Sequence, residues 1–147
     1  MKVIKYGAIA LLVLVLLGIG GLFFLGIQSQ NGSAFGLVEG RLSPCPSSPN
    51  CVSSEAGEPG DKAVPPLPVE AWANLPKAIV DMGGKVTAQE EAYLSAEFTS
   101  GVFRFVDDVE FRLTEADIHL RSASRVGYSD AGANSARVAE LRAQLTR

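Results

Sequence analysis

A single uncharged run near the N-terminus limits what this chain can fold into. Residues 6–27 contain no charged side chain, and nearly all of them are apolar or glycine. A helix that rises ~1.5 Å per residue crosses the ~30 Å hydrocarbon core of a bilayer in about 20 residues. Because Lys2 and Lys5 precede the run and the next charge is Glu39, the N-terminus is expected in the cytoplasm. The sequence therefore predicts a signal-anchor transmembrane helix at residues 1–27, with the rest of the chain outside the cytoplasm.

A cleaved signal peptide is the main alternative to this anchor. Signal peptides have an apolar region of about 7–15 residues, which is shorter than the run in this chain. The small-residue site within reach, Gly32-Ser33-Ala34, matches a cleavage site poorly. A buried core helix would need a polar face, and the run has none. An uncleaved anchor is therefore the prediction, and cleavage stays open.

The charge of the remaining chain restricts its partners. Two of the 13 basic residues, Lys2 and Lys5, precede the apolar run and all 16 acidic residues follow it, which leaves a net charge of −5 after residue 27. A mildly acidic domain without a basic cluster argues against nucleic acid and against anionic lipid headgroups as main partners. The predicted partners are the lipid bilayer, through residues 6–27, and an unknown envelope protein or a small ligand. No cofactor is predicted.

Two polar segments follow the apolar run. Residues 28–41 are polar and glycine-rich, which predicts a flexible tether between membrane and domain. The next segment contains both cysteines, Cys45 and Cys51, and in an oxidising compartment they are expected to form a disulfide. A metal site would need more ligands, and a redox-active pair usually has a shorter spacing. Pro46 and Pro49 restrict the loop that this disulfide closes. We therefore expect a rigid loop that covers a neighbouring surface.

Apolar periodicity predicts an α+β domain at residues 42–147, on the periplasmic side of the membrane. Its first element is a helix with one apolar stripe that begins at Val69. Pro76 interrupts the stripe. Either the helix kinks there, or it begins near Asn74 with Pro76 in its first turn, where a missing N–H has little effect.

After this helix, apolar residues recur at every second position, which is typical of β-strands. The strands are predicted at residues 85–99, as two strands or one bent strand, at 102–113, with a bend at Asp107-Asp108, and at 118–126. A final helix follows, capped by Asn134 or Ser135. The fold class is therefore predicted as a two-layer α+β domain, with an antiparallel sheet of about four strands and two helices on one face.

The last two strands hold the densest cluster of functional side chains, and the register of their hairpin can be predicted. If residues 114–117 form the turn, apolar side chains pair on one side of the hairpin and charged ones on the other. A slip of one residue would place Phe111 opposite Arg121, which is unfavourable. The charged side is predicted to be a solvated face with a cross-strand ion-pair ladder. The predicted pairs of the ladder are Glu110 with Arg121 and Arg112 with His119.

A candidate site for a ligand or partner lies at the open end of this hairpin, beside the loop at 127–134. Its predicted residues are Asp107, Asp108, Ser124, Arg125, Tyr128, Asp130 and Asn134. Asp107 and Asp108 are adjacent, so on a regular strand they point to opposite faces and do not form a paired-carboxylate dyad. The pattern predicts no catalytic residue and no metal site.

These features favour a membrane-anchored, non-catalytic binding or interaction module exposed outside the cytoplasm. Two alternatives stay open. One is a hydrolase or isomerase that uses acidic residues or His119 near the polar face of the sheet, which requires a concave pocket and a carboxylate or histidine with a shifted pKa. The other is a purely structural envelope protein.

Three sequence motifs occur in order along the domain. They are Cys-Pro-Ser-Ser-Pro-Asn-Cys-Val-Ser at 45–53, Arg-Phe-Val-Asp-Asp-Val-Glu-Phe at 104–111 and Arg-Ser-Ala-Ser-Arg-Val-Gly-Tyr-Ser-Asp-Ala-Gly-Ala-Asn at 121–134. Together they resemble the family catalogued as domain of unknown function 1499. The resemblance implies a small envelope or lumenal domain of bacteria and photosynthetic organelles, and hence a single-pass protein of the bacterial inner membrane. It implies no established activity. Ser135 departs from the family's pattern, in which an arginine follows the asparagine, and Arg137 is the basic residue left in the first turn of the final helix.

Overall fold

The computed structural model describes residues 2–146 and has a long N-terminal helix followed by an α+β domain. The elements are α1 (Lys2–Ser29), β1 (Leu37–Val38), β2 (Arg41–Leu42), β3 (Cys51–Ser53), β4 (Leu67–Pro68), a 3-10 helix (Val69–Asn74), α2 (Leu75–Asp81), β5 (Lys85–Gln89), β6 (Tyr93–Thr99), β7 (Val106–Leu113), β8 (Asp117–Ser124) and α3 (Ala133–Leu145). This architecture confirms the predicted fold class.

The main sheet is antiparallel and larger than predicted. It has six strands, in the order β3-β8-β7-β6-β5, with β4 also paired to β8. The two additional strands, β3 and β4, are three and two residues long, which is too short to show the two-residue period used for the prediction. Both pair with β8, so the second strand of the predicted hairpin lies inside the sheet.

The helices α2 and α3 cover one face of the sheet, as predicted. Leu75 and Ile79 of α2 and Val138 and Leu141 of α3 join one buried core cluster with strand residues such as Phe111. Phe111 has no exposed surface and is the largest of the fully buried side chains described. An amphipathic helix and a sheet with one apolar face are stable when these surfaces are buried together, and this core is the result.

The predicted hairpin register is confirmed. Leu113 pairs with Ile118 across the turn, Phe111 pairs with Leu120, and Asp108 pairs with Ala123. Alternation along β7 therefore directs its odd-numbered side chains to the helices and its even-numbered ones to the other face.

Both helix starts can be explained from side chains near them. A 3-10 helix ends at Asn74 and α2 begins at Leu75 with Pro76 in its first turn, which is the second of the two predicted arrangements.

The predicted cap of α3 is wrong, because α3 begins at Ala133 after Gly132. The carboxylate of Asp130 accepts the backbone N–H groups of Gly132 and Asn134, while the side chain of Asn134 is buried.

The strand predicted to begin at Val102 is shorter in the structure. β7 begins at Val106, runs through Asp107 and Asp108 without the predicted bend, and is preceded by a loop at residues 100–105. Within this loop Arg104 has a positive φ of 62°, which is incompatible with a regular strand. The aromatic ring of Phe103 packs against Phe23 of α1, with 5.1 Å between the ring centroids.

Residues 28–41, predicted as a flexible tether, instead pack across the sheet. Ser29 is buried, and its hydroxyl accepts the backbone N–H of Val106 at 3.0 Å. The backbone N–H of Gly36 donates to Oε1 of Glu110 at 2.8 Å. A glycine-rich segment has little hydrophobic pattern of its own, so these backbone contacts were not visible in the sequence. The segment covers the face of the sheet that has no helix.

A disulfide joins Cys45 and Cys51, as predicted, with 5.7 Å between their Cα atoms. The loop between them lies over the same face of the sheet as residues 33–35. The ammonium group of Lys62 donates a hydrogen bond to the carbonyl of Pro46, and this contact ties the loop to the chain that follows β3.

Replacing both cysteines, Cys45→Ala with Cys51→Ala, should lower the free energy of unfolding by about 2 kcal/mol, because the small ring no longer restricts the unfolded chain. Denaturant unfolding of the full chain in detergent micelles measures this difference. Reductant should destabilise the wild-type protein by the same amount and leave the double variant unchanged. Equal stability of the two proteins under oxidising conditions would contradict the prediction.

Candidate functional site

The second face of the sheet carries a cluster of ionised side chains. β7 contributes Asp108 and Glu110 to this face, and β8 contributes Arg121 directly opposite Glu110. The exposed fraction of these side chains is small: Asp108 is 5%, Arg121 is 3% and Glu110 is 0% exposed. Of the predicted pairs, Glu110 and Arg121 form an ion pair at 3.3 Å, but the prediction that this face is solvated is wrong, because residues 29–43 cover it.

Glu110 is the acceptor at the centre of the cluster. Its Oε2 accepts a hydrogen bond from Nη1 of Arg121 at 3.3 Å, and its Oε1 accepts the hydroxyl of Tyr93 at 2.8 Å. Burial and the hydrogen bond to Glu110 raise the pKa of Tyr93 well above its usual range. Tyr93 therefore remains a neutral donor, which is what a buried carboxylate requires from its neighbour.

Arg121 is the least satisfied member of the cluster. A guanidinium group has five N–H donors, yet within residues 2–146 Arg121 has the single hydrogen bond to Glu110, and its buried Nε has no partner. The guanidinium carbon lies 5.2 Å from the centroid of the Phe35 ring, a cation–π distance. Arg121 thus has donors left over in a place where water is restricted.

A cavity of about 590 Å³ opens beside Arg121. Three segments form its walls: residues 33–35, the disulfide loop at 43–50, and the end of β8 with the residues that follow it. Phe35 is 71% exposed and offers part of its ring at the cavity wall. The amide of Asn50 donates to the carbonyl of Gly127 at 2.8 Å, which connects the disulfide loop to the β8 end of the cavity.

Arg125 also lines this cavity, but its donors are occupied. Its Nε and Nη2 bind the two carboxylate oxygens of Asp108 at 2.7 and 2.6 Å, and Nη2 also binds Glu97 at 2.6 Å. Its Nη1 donates to the backbone carbonyl of Ser29, near the C-terminal end of α1, at 3.1 Å. The hydrogen bonds to Asp108 raise the pKa of Arg125 although burial opposes the charge. Arg125 therefore connects the end of α1 to the sheet.

A separate polar network lies on the helix side of the sheet. Asp107 binds Nη2 of Arg137 at 2.6 Å, so Asp107 and Asp108 do point to opposite faces. The side-chain amide of Asn134 donates to the carbonyl of Asn50, to Oγ of Ser124 and to Asp130. Asn134 is fully buried and holds the start of α3 against β8 and the disulfide loop.

The predicted candidate site is therefore divided in the structure. Asp108, Ser124 and Arg125 line the larger cavity. A second cavity, of about 460 Å³, is lined by Asp107, Ser124, Tyr128 and Asp130 together with Leu22 and Leu25 of α1. Asn134 lies behind both, in contact with Ser124. Sequence reasoning did not assign Phe35 or Asn50 to the site; the available signals were a single aromatic residue in a polar segment and the proline-rich cysteine loop.

The other half of the predicted ladder binds different partners. Arg112 lies opposite His119 as predicted, but its Nε donates to Glu55 at 2.8 Å, while Nδ1 of His119 lies 3.1 Å from the carbonyl of Ser54. Glu55 also accepts the guanidinium of Arg41 at 3.0 Å. Burial alone would raise the pKa of Glu55, but the hydrogen bonds from Arg112 and Arg41 outweigh it and hold the pKa below its usual value.

The described side chains offer little to a metal ion. Within residues 2–146, no group of three or more histidine, cysteine, aspartate or glutamate side chains is arranged to hold one. The carboxylates on the polar face are occupied by arginines, so the donors that remain are guanidinium, hydroxyl and amide groups. Such a set binds the oxygen atoms of a ligand, and an anionic oxygen best of all.

Comparison with known proteins gives one match. A family described as "Protein of unknown function (DUF1499)" matches residues 41–145, which is more than half of the chain. No curated protein and no solved structure matches the chain significantly.

Glu55→Gln should lower the free energy of unfolding by about 2 kcal/mol at neutral pH, because two arginines lose a charged partner. The folded pKa of Glu55 lies below the ordinary glutamate value of 4.5, which applies to the unfolded chain. Its contribution is therefore complete above that pH and is lost as the pH falls through the folded pKa. Melting temperatures of both proteins from neutral to acidic pH should converge at the acidic end.

Glu91→Gln, in the exposed turn between β5 and β6, controls for the loss of one carboxylate. A constant difference between wild type and Glu55→Gln down to the most acidic pH would contradict the assignment.

Proposed function

The chain belongs to the family of proteins of unknown function DUF1499, and we propose that it is a membrane-anchored binding module on the non-cytoplasmic side of a bacterial inner membrane. In this proposal α1 is the anchor and the cavity beside Arg121 is the binding site. The ligand carries one anionic oxygen group for Arg121 and an apolar part for the ring of Phe35. The observation that carries the proposal is Arg121 at a cavity wall, with one hydrogen bond to Glu110 and an Nε that has no partner within residues 2–146.

The length and exposure of α1 support its role as an anchor. The stretch Ile4–Ser29 is 26 residues long, apolar enough to cross a membrane, and none of its most apolar window is buried by the domain. Apolar side chains exposed along so much of a helix need lipid around them. Lys5 at one end and the absence of basic residues between residues 6 and 40 favour a cytoplasmic N-terminus.

Contacts at the end of α1 support retention of the helix in the mature protein. The hydroxyl of Ser29 binds the first backbone N–H of β7, and the carbonyl of Ser29 accepts Arg125. Cleavage near residues 32–34 would remove Ser29 and leave a buried backbone donor and part of a buried guanidinium without partners. Unsatisfied buried groups of this kind cost about 1–3 kcal/mol each, so the domain is more stable with its anchor.

The cavity walls support recognition of an amphipathic anion. Arginine binds carboxylate and phosphate oxygens through its planar N–H fork, and Arg121 lines the cavity with a single hydrogen bond from its guanidinium group among the described residues. Phe35, Pro44 and Pro46 supply apolar surface to the same cavity. The disulfide and the prolines restrict the loop before any ligand arrives, so less conformational entropy is lost on binding.

The enzyme alternative has less support from the same geometry. His119, the predicted base, lines neither of the two cavities. The nearest hydroxyl, that of Ser54, lies 3.4 Å from Nδ1 of His119 but also accepts the backbone N–H of Leu120 at 2.8 Å. Asp108, the acidic residue that lines the larger cavity, is bound to Arg125. A purely structural role accounts for the hydrogen bond of Arg121 to Glu110 but not for its Nε, which has no partner within residues 2–146.

Retention of the anchor gives the first test. The full chain, expressed in bacteria with a C-terminal tag, should stay in the membrane fraction after carbonate extraction, and its intact mass should include residues before 32. A cysteine introduced by Ala116→Cys, in the exposed turn of the hairpin, should react with a membrane-impermeant maleimide in spheroplasts. An intact mass that begins near residues 32–34, or a cysteine protected until the cells are lysed, would contradict the anchor or its orientation.

Ligand chemistry gives the second test, with hexanoate as an anionic probe and hexanol as its uncharged match. Binding to the folded state raises the melting temperature of the full chain in nanodiscs by mass action. Hexanoate should raise it for the wild-type protein and hexanol should not. Arg121→Lys keeps the charge beside Glu110 but lacks the planar fork, so the shift should be at least several-fold smaller.

Arg142→Lys is the matched control, because Arg142 binds the carbonyls of Pro65 and Pro66 outside the cavity. This variant should respond to hexanoate as the wild type does. Equal shifts with hexanoate and hexanol, or equal shifts in the wild type and Arg121→Lys, would refute an anion site at Arg121.

A further inference from the structure

The loop at residues 100–105 lies against the last turns of α1, and this position has a consequence for how the domain sits on the membrane. We propose that this loop, together with Tyr128 in the neighbouring loop, is a membrane-contacting surface that inserts at the boundary between lipid headgroups and hydrocarbon. The inference rests on the anchor proposed above but not on the ligand site. The occupant of this surface is the bilayer itself.

Two contacts fix the loop against the helix. The ring of Phe103 meets the ring of Phe23 edge-on, with 5.1 Å between centroids. The backbone of Phe103 also approaches Gly26 so closely that a Cβ atom at residue 26 would lie 1.7 Å from the carbonyl oxygen of Phe103. A glycine is therefore required where the loop crosses the helix.

The depth of the loop follows from helix geometry. A hydrocarbon core of ~30 Å is crossed by about 20 residues of helix. Because Lys5 must stay outside the core, a span that begins at Tyr6 reaches the opposite boundary near Leu25. Phe23 lies about 3 Å before that boundary, and Phe103 touches Phe23. The tip of the loop is therefore at or just below the level of the lipid headgroups.

The side chains of this surface suit that depth. Val102 is 69% exposed and Tyr128 is 76% exposed, and Phe103 and Phe105 are each only half-buried. Large apolar side chains grouped on the surface of a small domain are unfavourable in water. Aromatic residues, by contrast, are enriched at both membrane–water interfaces. Because this surface continues the lipid-facing side of α1, lipid is the partner that is already present.

The second cavity extends the same surface. Leu22 and Leu25 of α1 form one wall, and Phe105, Val126 and Tyr128 of the domain form the other. An apolar gap between a membrane helix and its own domain at this depth is open to lipid chains. Arg104 is exposed in the same loop, whereas the chain after residue 27 has a net charge of −5. One cation in an acidic domain attracts anionic lipid only weakly, so apolar contact supplies most of the interaction and its strength should depend little on salt.

Collision-accessibility measurements on a spin label test the proposal. The label is attached to the full chain in nanodiscs at Val102→Cys, and the reference label at Ala116→Cys. The turn containing Ala116 lies at the other end of β7, whose eight residues span about 25 Å. The label at 102 should collide preferentially with oxygen, which concentrates in the bilayer, and the label at 116 with a water-soluble nickel chelate. If the label at 102 collides with oxygen and with the nickel chelate in the same proportion as the label at 116, the proposal is wrong.

A matched pair of glycine variants tests the contact with α1. Gly26→Leu places a side chain against the carbonyl of Phe103, whereas Gly21→Leu meets nothing within 4 Å. In the Val102→Cys background, Gly26→Leu should shift the label toward nickel accessibility and raise its mobility, and Gly21→Leu should leave both unchanged. An equal response to the two changes would refute the packing of the loop on the helix. Loss of the chain from the nanodisc fraction would refute the anchor itself, and with it this proposal.

Discussion

Burial of four ionised side chains on one face of the sheet is the constraint on which the rest of the structure depends. Asp108, Glu110, Arg121 and Arg125 are each at most about a tenth exposed, so each loses most of its hydration. This loss is tolerable only where the charges are paired and hydrogen-bonded. The pairing comes from the register of β7 and β8, and the cover comes from residues 29–43. The segment beyond the anchor is therefore part of the fold.

This arrangement couples α1, the proposed anchor, to the domain. Arg125 binds Asp108 on β7 and the carbonyl of Ser29 at the end of α1, where the partial negative charge of a helix C-terminus favours a cation. The hydroxyl of the same serine binds the start of β7. These contacts fix the orientation of the domain relative to α1, and the proposed position of one particular loop at membrane depth follows from that orientation. The residues that follow Ser29 also form one wall of the cavity.

Much of the fold could be predicted from the sequence, because it depends on patterns that specify two faces at once. The register of the hairpin was predictable since apolar and opposite-charge pairs both favour one alignment. The burial of Arg121 was not, because the cover is a glycine-rich segment that binds through its backbone, such as Gly36 to Glu110. The sequence predicts a strand at residues 102–105, because apolar residues that pack against a helix, as Phe103 does against Phe23, resemble strand residues. Asn134 was taken for a helix cap, but its buried amide bridges three segments.

The same cluster restricts the ligand. Arg125 has two carboxylates and a carbonyl as partners. It therefore has no pair of N–H groups left to bind a ligand. One N–H group of Arg121 donates to Glu110, and its Nε has no partner among the described residues. The cavity therefore offers a single guanidinium beside two carboxylates, Asp108 and Glu110, which would repel a second negative charge. A monoanion, such as a carboxylate or a phosphate diester, satisfies Arg121 with less of this repulsion than a ligand with two adjacent charges. The buried ion pairs that hold α1 against the sheet thus also restrict the anions that suit the proposed site.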